Sequence, residues 1–329
     1  MRAFEYASPA KLDQALRLLG NAWDDAAPLA GGTDLLALMK DDIFSPRRLV
    51  NIKEIGPLRG IAVSKKGLRI GALATIEELS SNPNVQSSYP VISHTANEIA
   101  GPQVRNMATI GGNLCQRPRC WFYRAGFGLL AKDEKGTPLI PNGDNRYHAI
   151  LGNSGPAYFV SPSTLAPLFV ALGATVKLAG PAGKREVPLE KFYLIPKSET
   201  EREHDLKPNE LVTEIVIPPL SGAKAATYEV RQKETMDWPL ALAAVVLNMK
   251  DGKVKTARVV MGAVAPIPWR STEAEESLIG KAVTEEVAQS AASAAVANAK
   301  SLGRNGYKIQ LARVAVKRAI MTAVNGGMK

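Results

Sequence analysis

Apolar positions change their period along this chain, and the changes mark its elements. Leu12, Ala15, Leu16 and Leu19 recur at i, i+3, i+4 and i+7, between Ser8-Pro9 and Gly20. That is a helix with one apolar face, opened by a serine cap and a proline and stopped by glycine. Pro28-Leu29-Ala30 and Leu49-Val50-Asn51-Ile52 read as short strands, with Leu35, Leu36, Leu38 and Met39 as a helical turn between them. Leu68-Arg69-Ile70-Gly71-Ala72 predicts another strand, Thr75 with Glu78 a capping box, and 90–100 a helix ended by Gly101-Pro102. A strand over 157–161 leads to a helix from Leu165, capped by Ser163 or Thr164. Residues 174–178 alternate into the turn Gly180-Pro181-Ala182-Gly183, and 211–217 form a further strand. Beyond the linker Pro218-Pro219-Leu220-Ser221-Gly222 come strands over 227–233, 242–249 and 254–264, with Asp251-Gly252 as a hairpin turn. Helices over 272–279, 284–301 and 309–324 finish the chain. Strands followed by helices make an α+β class. The expected domains are 1–55, 56–220 with an inserted loop at 114–158, and 221–329.

Composition changes this picture little. With 329 residues, 46% hydrophobic and 22% charged, the chain is an ordinary globular sequence long enough for about two cores. Lys and Arg outnumber Asp and Glu 41 to 31, a net charge of +10. The basic residues are scattered, in pairs such as Arg47-Arg48 and Lys65-Lys66, without aromatic interleaving, so nucleic acid is not the expected partner. An acidic partner subunit or an anionic cofactor accounts for the excess equally well. The N-terminal stretch has no apolar signal region, and no run is long enough to span a bilayer. The 2 cysteines, Cys115 and Cys120, suit a reducing compartment. A cytoplasmic protein without membrane insertion is expected.

Candidate chemistry concentrates in two Gly-Gly turns, Ala30-Gly31-Gly32-Thr33-Asp34-Leu35 and Thr109-Ile110-Gly111-Gly112-Asn113. Glycine admits positive φ and leaves no Cβ in the way of a ligand, and successive amides in such turns form an anion nest. Two such turns, with Thr, Asp and Asn placed to hydrogen-bond, suit a pyrophosphate gripped from two loops. Neither has the spacing of GxGxxG or of the P-loop. No Ser/His/Asp order, HExxH or Cys-x-x-Cys occurs, and the 3 histidines offer little to a hydrolytic or metal centre. No catalytic residue and no metal site is expected of this chain; a bound cofactor would carry the chemistry.

AGGTDL followed by VRNMATIGGNL resembles the FAD-binding (medium) subunit of the xanthine dehydrogenase / carbon monoxide dehydrogenase family of molybdenum hydroxylases. The resemblance continues through the Ser161–Pro167 segment, Leu206-Lys207-Pro208-Asn209-Glu210-Leu211, Arg231-Gln232-Lys233-Glu234 and Asp237-Trp238-Pro239-Leu240-Ala241. It implies a two-subdomain FAD-binding fold of the vanillyl-alcohol-oxidase/PCMH type, followed by an α+β C-terminal domain of antiparallel sheet and helices. It also implies an electron-transfer subunit. Electrons from substrate oxidation at a molybdopterin cofactor on a large subunit would pass through [2Fe–2S] centres of a small subunit to FAD and on to an external acceptor. By the same resemblance both Gly-Gly turns and Asn113 approach the FAD, 192–193 run close to it, and Leu211 and Val212 come near the isoalloxazine ring. Thr164 stands where relatives carry an acid that contacts the nucleotide part. Arg231 stands where they put a basic residue, which beside the reduced ring would raise its potential. Plain strand core for Leu211 and Val212, and an exposed strand arginine for Arg231, are the competing readings.

Segment 114–158 departs from the plainest pattern and resembles a subgroup whose inserted loop carries a [4Fe–4S] cluster. Such a cluster normally takes four thiolates, and this chain has 2 cysteines, so the insertion is expected without its cluster. A site completed by His148 and a partner chain is one alternative. The other is a loop pinned by Trp121, Phe122, Tyr123 and Phe127, with both thiols buried as small apolar groups. Either way, the segment is expected to pack near the flavin or against a partner. Two other functions stay open. One is a free-standing flavin oxidoreductase of the same fold. The other is an assembly subunit that has lost FAD, for which Thr164 and the depleted cysteines speak.

Overall fold

The computed structural model describes residues 1–233 and 236–326, and among them three sheets carry the fold. Glu234 of the Arg231–Glu234 motif lies outside the described residues. The first sheet is parallel: β1 (Glu5–Ala7), β2 (Ala26–Leu29) and β3 (Arg48–Asn51) lie in the order β1-β3-β2. Its helix Leu12–Leu18 begins later than Ser8-Pro9 suggests, with Lys11 at the cap position and no side-chain cap bond. Ser8 instead uses its hydroxyl on the Asn51 amide, 2.9 Å away. A distant partner took the expected cap.

The second sheet holds β4 (Ile61–Ser64), β5 (Gly67–Gly71), β6 (Thr175–Gly180), β7 (Gly183–Pro188) and β8 (Leu211–Ile217), antiparallel in the order β4-β5-β8-β6-β7. The Thr75–Glu78 capping box forms in full, with bonds of 2.7 and 3.1 Å. Ser163, not Thr164, caps helix Leu165–Ala171, accepting from Ala166 N at 3.0 Å. The segment 157–161 joins no sheet, although Ala157, Phe159 and Ser161 are buried. Phe169 and Phe192, both fully buried, anchor the core under this sheet. Each contributes roughly 1.5–3 kcal/mol by leaving water.

The third sheet is an antiparallel meander of β9 (Lys224–Val230), β10 (Ala241–Lys250), β11 (Lys253–Gly262) and β12 (Trp269–Arg270). Asp251 and Gly252, both at positive φ, close its hairpin. Helices Thr272–Leu278, Glu285–Ala295 and Tyr307–Val324 pack on it through an alanine-rich face. This is the expected α+β class. Among the described residues, no helix is long and apolar enough to cross a membrane.

Segment 114–158 is pinned at both ends. Ile150 and Leu151 belong to the C-terminal core, and their amides donate to Val264 O at 2.8 and 3.1 Å. Lys308, 1% exposed, points its ammonium at the carbonyls of Tyr147, His148 and Ala263 at 2.9, 3.2 and 2.7 Å. Burial lowers its pKa to about 7 from the ordinary 10.5, and the three carbonyl acceptors offset only part of the cost of charging it.

Candidate functional site

Beyond β2 the chain turns through Gly31 and Gly32 into helix Leu35–Lys40. Gly32 sits at φ 75°, the left-handed region that favours glycine. Gly31 is needed for a different reason: a Cβ there would lie 1.8 Å from the Met107 carbonyl oxygen. Its missing side chain admits the neighbouring loop, not a ligand. The backbone amides of Gly31, Gly32, Thr33, Asp34 and Leu35 have no protein acceptor among the described residues. Half-buried amides in a row, with nothing to donate to, form an anion nest.

The second turn is wired differently. Thr109 caps helix Ile110–Cys115, its Oγ1 accepting from Gly112 N at 3.1 Å. Ile110 N donates to Ala74 O at 2.8 Å, Gly111 N to Ala72 O at 2.9 Å and Asn113 N to Thr109 O at 2.8 Å. No amide among these is free, so the second half of the expected two-loop nest is absent. Asn113 turns inward and accepts from Ser163 Oγ at 2.7 Å.

Both turns wall one open cleft, about 1220 Å³ counted together with its solvent-filled mouth. Ala30, Gly31, Gly32, Thr33, Asp34, Leu35, Thr109, Gly111, Gly112, Leu211 and Val212 all line it. Asn113, Thr164 and Arg231 do not. Thr164 lines a second cavity, about 960 Å³ counted together with its solvent-filled mouth, with Arg119, Cys120, His148, Trp238 and Lys308. Arg231 is neither exposed nor a free cation. Its guanidinium meets Glu229 at 2.6 Å and Glu98 at 3.2 Å, and its side chain is 9% exposed. Burial raises the Glu229 pKa against the pull of Arg231. Phe192 and Tyr193 lie behind the cleft: Phe192 stacks under His204 at 5.5 Å, and the Tyr193 hydroxyl donates to Leu114 O at 3.1 Å.

Several cleft residues carry no local sequence signal. The Arg202 guanidinium lies 4.4 Å from the centre of the Trp23 ring, and His204 meets the same ring edge-on at 6.1 Å. Phe44, Gln116 and Arg117 complete this side. Burial lowers the His204 pKa, so the imidazole is neutral. Nothing short of the fold brings residues near 23, 44, 116 and 204 together.

Asp34 is not free for a ligand. Its Oδ2 accepts from Arg117 N at 2.8 Å, and its Oδ1 meets Arg124 Nη2 at 2.7 Å and Arg119 Nη2 at 3.1 Å. Every one of these partners comes from the inserted segment. Arg117 also donates to Glu203 Oε1 at 2.8 Å. Burial works against the Arg117 charge, but Glu203, Tyr123 and Asp34 outweigh it and raise its pKa.

The two cysteines open onto different cavities: Cys115 onto the cleft and Cys120 onto the second cavity. Burial pushes the Cys115 thiol up to about 12, helped by Glu203, and the Cys120 thiol up to about 11. Both are thiols, not thiolates, at neutral pH. Cys120 Sγ lies 3.1 Å from His148 Nε2. Among the described residues, no three His, Cys, Asp or Glu side chains are grouped to hold a metal ion.

The cleft fits a dinucleotide with a diphosphate, such as FAD. The nest of 31–35 offers donors, Arg117 and Arg202 offer positive charge, and Trp23, Phe44, Leu211 and Val212 offer apolar walls for flat rings.

Comparison with known proteins gives the same picture. Residues 2–220 match the FAD binding domain in molybdopterin dehydrogenase, and residues 226–323 the CO dehydrogenase flavoprotein C-terminal domain. The carbon monoxide dehydrogenase medium chain of Hydrogenophaga pseudoflava is 33% identical over 97% of this chain and 96% of its own. The aldehyde oxidoreductase FAD-binding subunit of Escherichia coli is 32% identical over 87% of each chain. A solved carbon monoxide dehydrogenase from H. pseudoflava superposes with a TM-score of 0.79 at 32% identity, covering 99% of both chains.

Proposed function

Because this chain belongs to the FAD-binding medium subunits of the molybdenum hydroxylases, a family of oxidoreductase subunits, we propose that it is the electron-transfer subunit of such a complex. In this reading a large subunit holds the molybdopterin cofactor and oxidises the substrate, and a small subunit holds [2Fe–2S] centres. Bound FAD would supply the link between those one-electron centres and an external acceptor. The chain itself binds, orients and shields. The amides of 31–35 hold the diphosphate, Gly31 lets the Met107–Ala108 backbone that leads into the second turn approach closely, and the aromatic wall keeps water from the rings. A cytoplasmic location goes with this reading, consistent with two free thiols.

The observation that carries the proposal is the row of unpartnered amides from Gly31 to Leu35 in the wall of the cleft. An absorbance spectrum and an iron assay on the purified complex and on the isolated subunit test it. Flavin bands without iron on the isolated subunit, reduced by substrate only in the complex, are expected. A colourless subunit would instead mark an assembly protein that has lost FAD. A yellow subunit reduced by a small molecule on its own would mark a free-standing oxidoreductase. Iron on the subunit would mean that Cys115 and Cys120 still serve a cluster.

A further inference from the structure

Segment 114–158 holds 2 cysteines where a cluster takes four thiolates, yet it is tied down at both ends. At one end, Asp34 of the cofactor loop receives Arg117 N, Arg119 and Arg124. Arg124 also donates to the carbonyls of Pro118 at 2.9 Å and Arg117 at 3.3 Å, so its fork is held in place before it reaches Asp34. At the other end, Asn145 Nδ2 donates to Leu302 O at 2.8 Å, and Lys308 gathers the carbonyls of Tyr147 and His148. The Cys120–His148 contact joins the two halves. The segment is therefore a strap from the C-terminal helix to the cofactor loop.

Its charge has a consequence for that loop. An unpaired aspartate within the nest would repel a diphosphate. Here three guanidinium groups face two carboxylates, Asp34 and Glu203, in ground where the side chains of Asp34, Arg117 and Arg124 are 17%, 15% and 16% exposed. Three positive groups against two negative ones leave the field at the amides positive.

The geometry points to an electropositive clamp: Arg119 and Arg124, acting through Asp34, position the 31–35 loop and bias it toward the diphosphate of its dinucleotide. They are positioning residues, and the inference rests on the flavin reading above. It goes beyond that reading in giving the cluster-free insertion a present task.

The test uses the full-length chain stripped of flavin, titrated with FAD, ADP and adenosine at low and high salt. Arg119→Gln combined with Arg124→Gln should weaken FAD and ADP at least tenfold at low salt, flatten the salt dependence of ADP binding and leave adenosine unchanged. Arg124→Lys alone should keep the charge, lose the fork and fall in between. Glu203→Gln removes a carboxylate from the cluster without touching the loop, and should tighten ADP two- to fivefold. That opposite sign is informative even if the double variant folds poorly. ADP affinity unchanged in Glu203→Gln, or ADP and adenosine falling in parallel in the arginine variants, would overturn the clamp while leaving the flavin reading standing. A wild-type chain that binds neither FAD nor ADP would overturn both.

Discussion

The two Gly-Gly turns look alike in sequence and do opposite work. In 31–35 the amides have no protein acceptor among the described residues, and one glycine takes positive φ. In the second turn the amides of Ile110, Gly111, Gly112 and Asn113 each have a partner within the chain, and Thr109 caps the helix that follows. The first is a donor surface and the second a buttress, built so that Met107 O can press against Gly31. A glycine pair therefore reports close approach of something, and only the hydrogen-bond accounting tells whether that is a ligand or another stretch of backbone.

Substitutions should separate donor surface from buttress. The largest effect is expected from Gly31→Ala, whose Cβ would sit 1.8 Å from a backbone oxygen. A loss of about 3 kcal/mol or more in urea unfolding, with flavin content below a tenth of wild type, should follow. Gly112→Ala is the control: its Cβ meets only Thr109 Oγ1, at 3.0 Å, and should cost less than about 1 kcal/mol. Equal losses in the two would erase the distinction.

Acid tests the strap that ties down the first turn. Burial, with the Lys308 ammonium nearby, lowers the His148 pKa to about 4 from its ordinary 6.5. The unfolded chain therefore binds this proton more readily than the folded one. The His148 contribution is full above about pH 6.5 and is lost as pH drops toward about 4, by at most about 3 kcal/mol. Denaturation midpoints across that range should slope in the wild type and flatten in His148→Gln; parallel slopes would show that His148 is not responsible.

Smaller effects fall on the turns themselves. Gly32→Ala, forced to φ 75°, should cost about 1–2 kcal/mol and lower flavin content as well. Thr109→Val removes the cap on Gly112 N and should cost about 1 kcal/mol in thermal unfolding with flavin content nearly unchanged. Flavin lost from Thr109→Val to the same degree as from Gly32→Ala would make the second turn a donor surface after all.

Local signals determined a good deal of this protein. The Thr75–Glu78 box, the Asp251-Gly252 hairpin, the strand at 211–217 and the placing of both Gly-Gly turns could be read from the chain, because each depends on residues within a few positions of one another. Tertiary structure decided what those signals are used for. The Ser8 hydroxyl accepts from the Asn51 side-chain amide and leaves the helix uncapped. Residues 157–161 were buried without joining a sheet. Asp34 went to arginines about ninety residues away, and Arg231 to two carboxylates. The carbonyls of Ala72 and Ala74 took up one set of glycine-turn amides and left the other set free. Backbone conformation follows from local sterics, whereas a hydrogen-bond or charge partner is whatever the fold brings within about 3 Å, and no spacing along the chain encodes that.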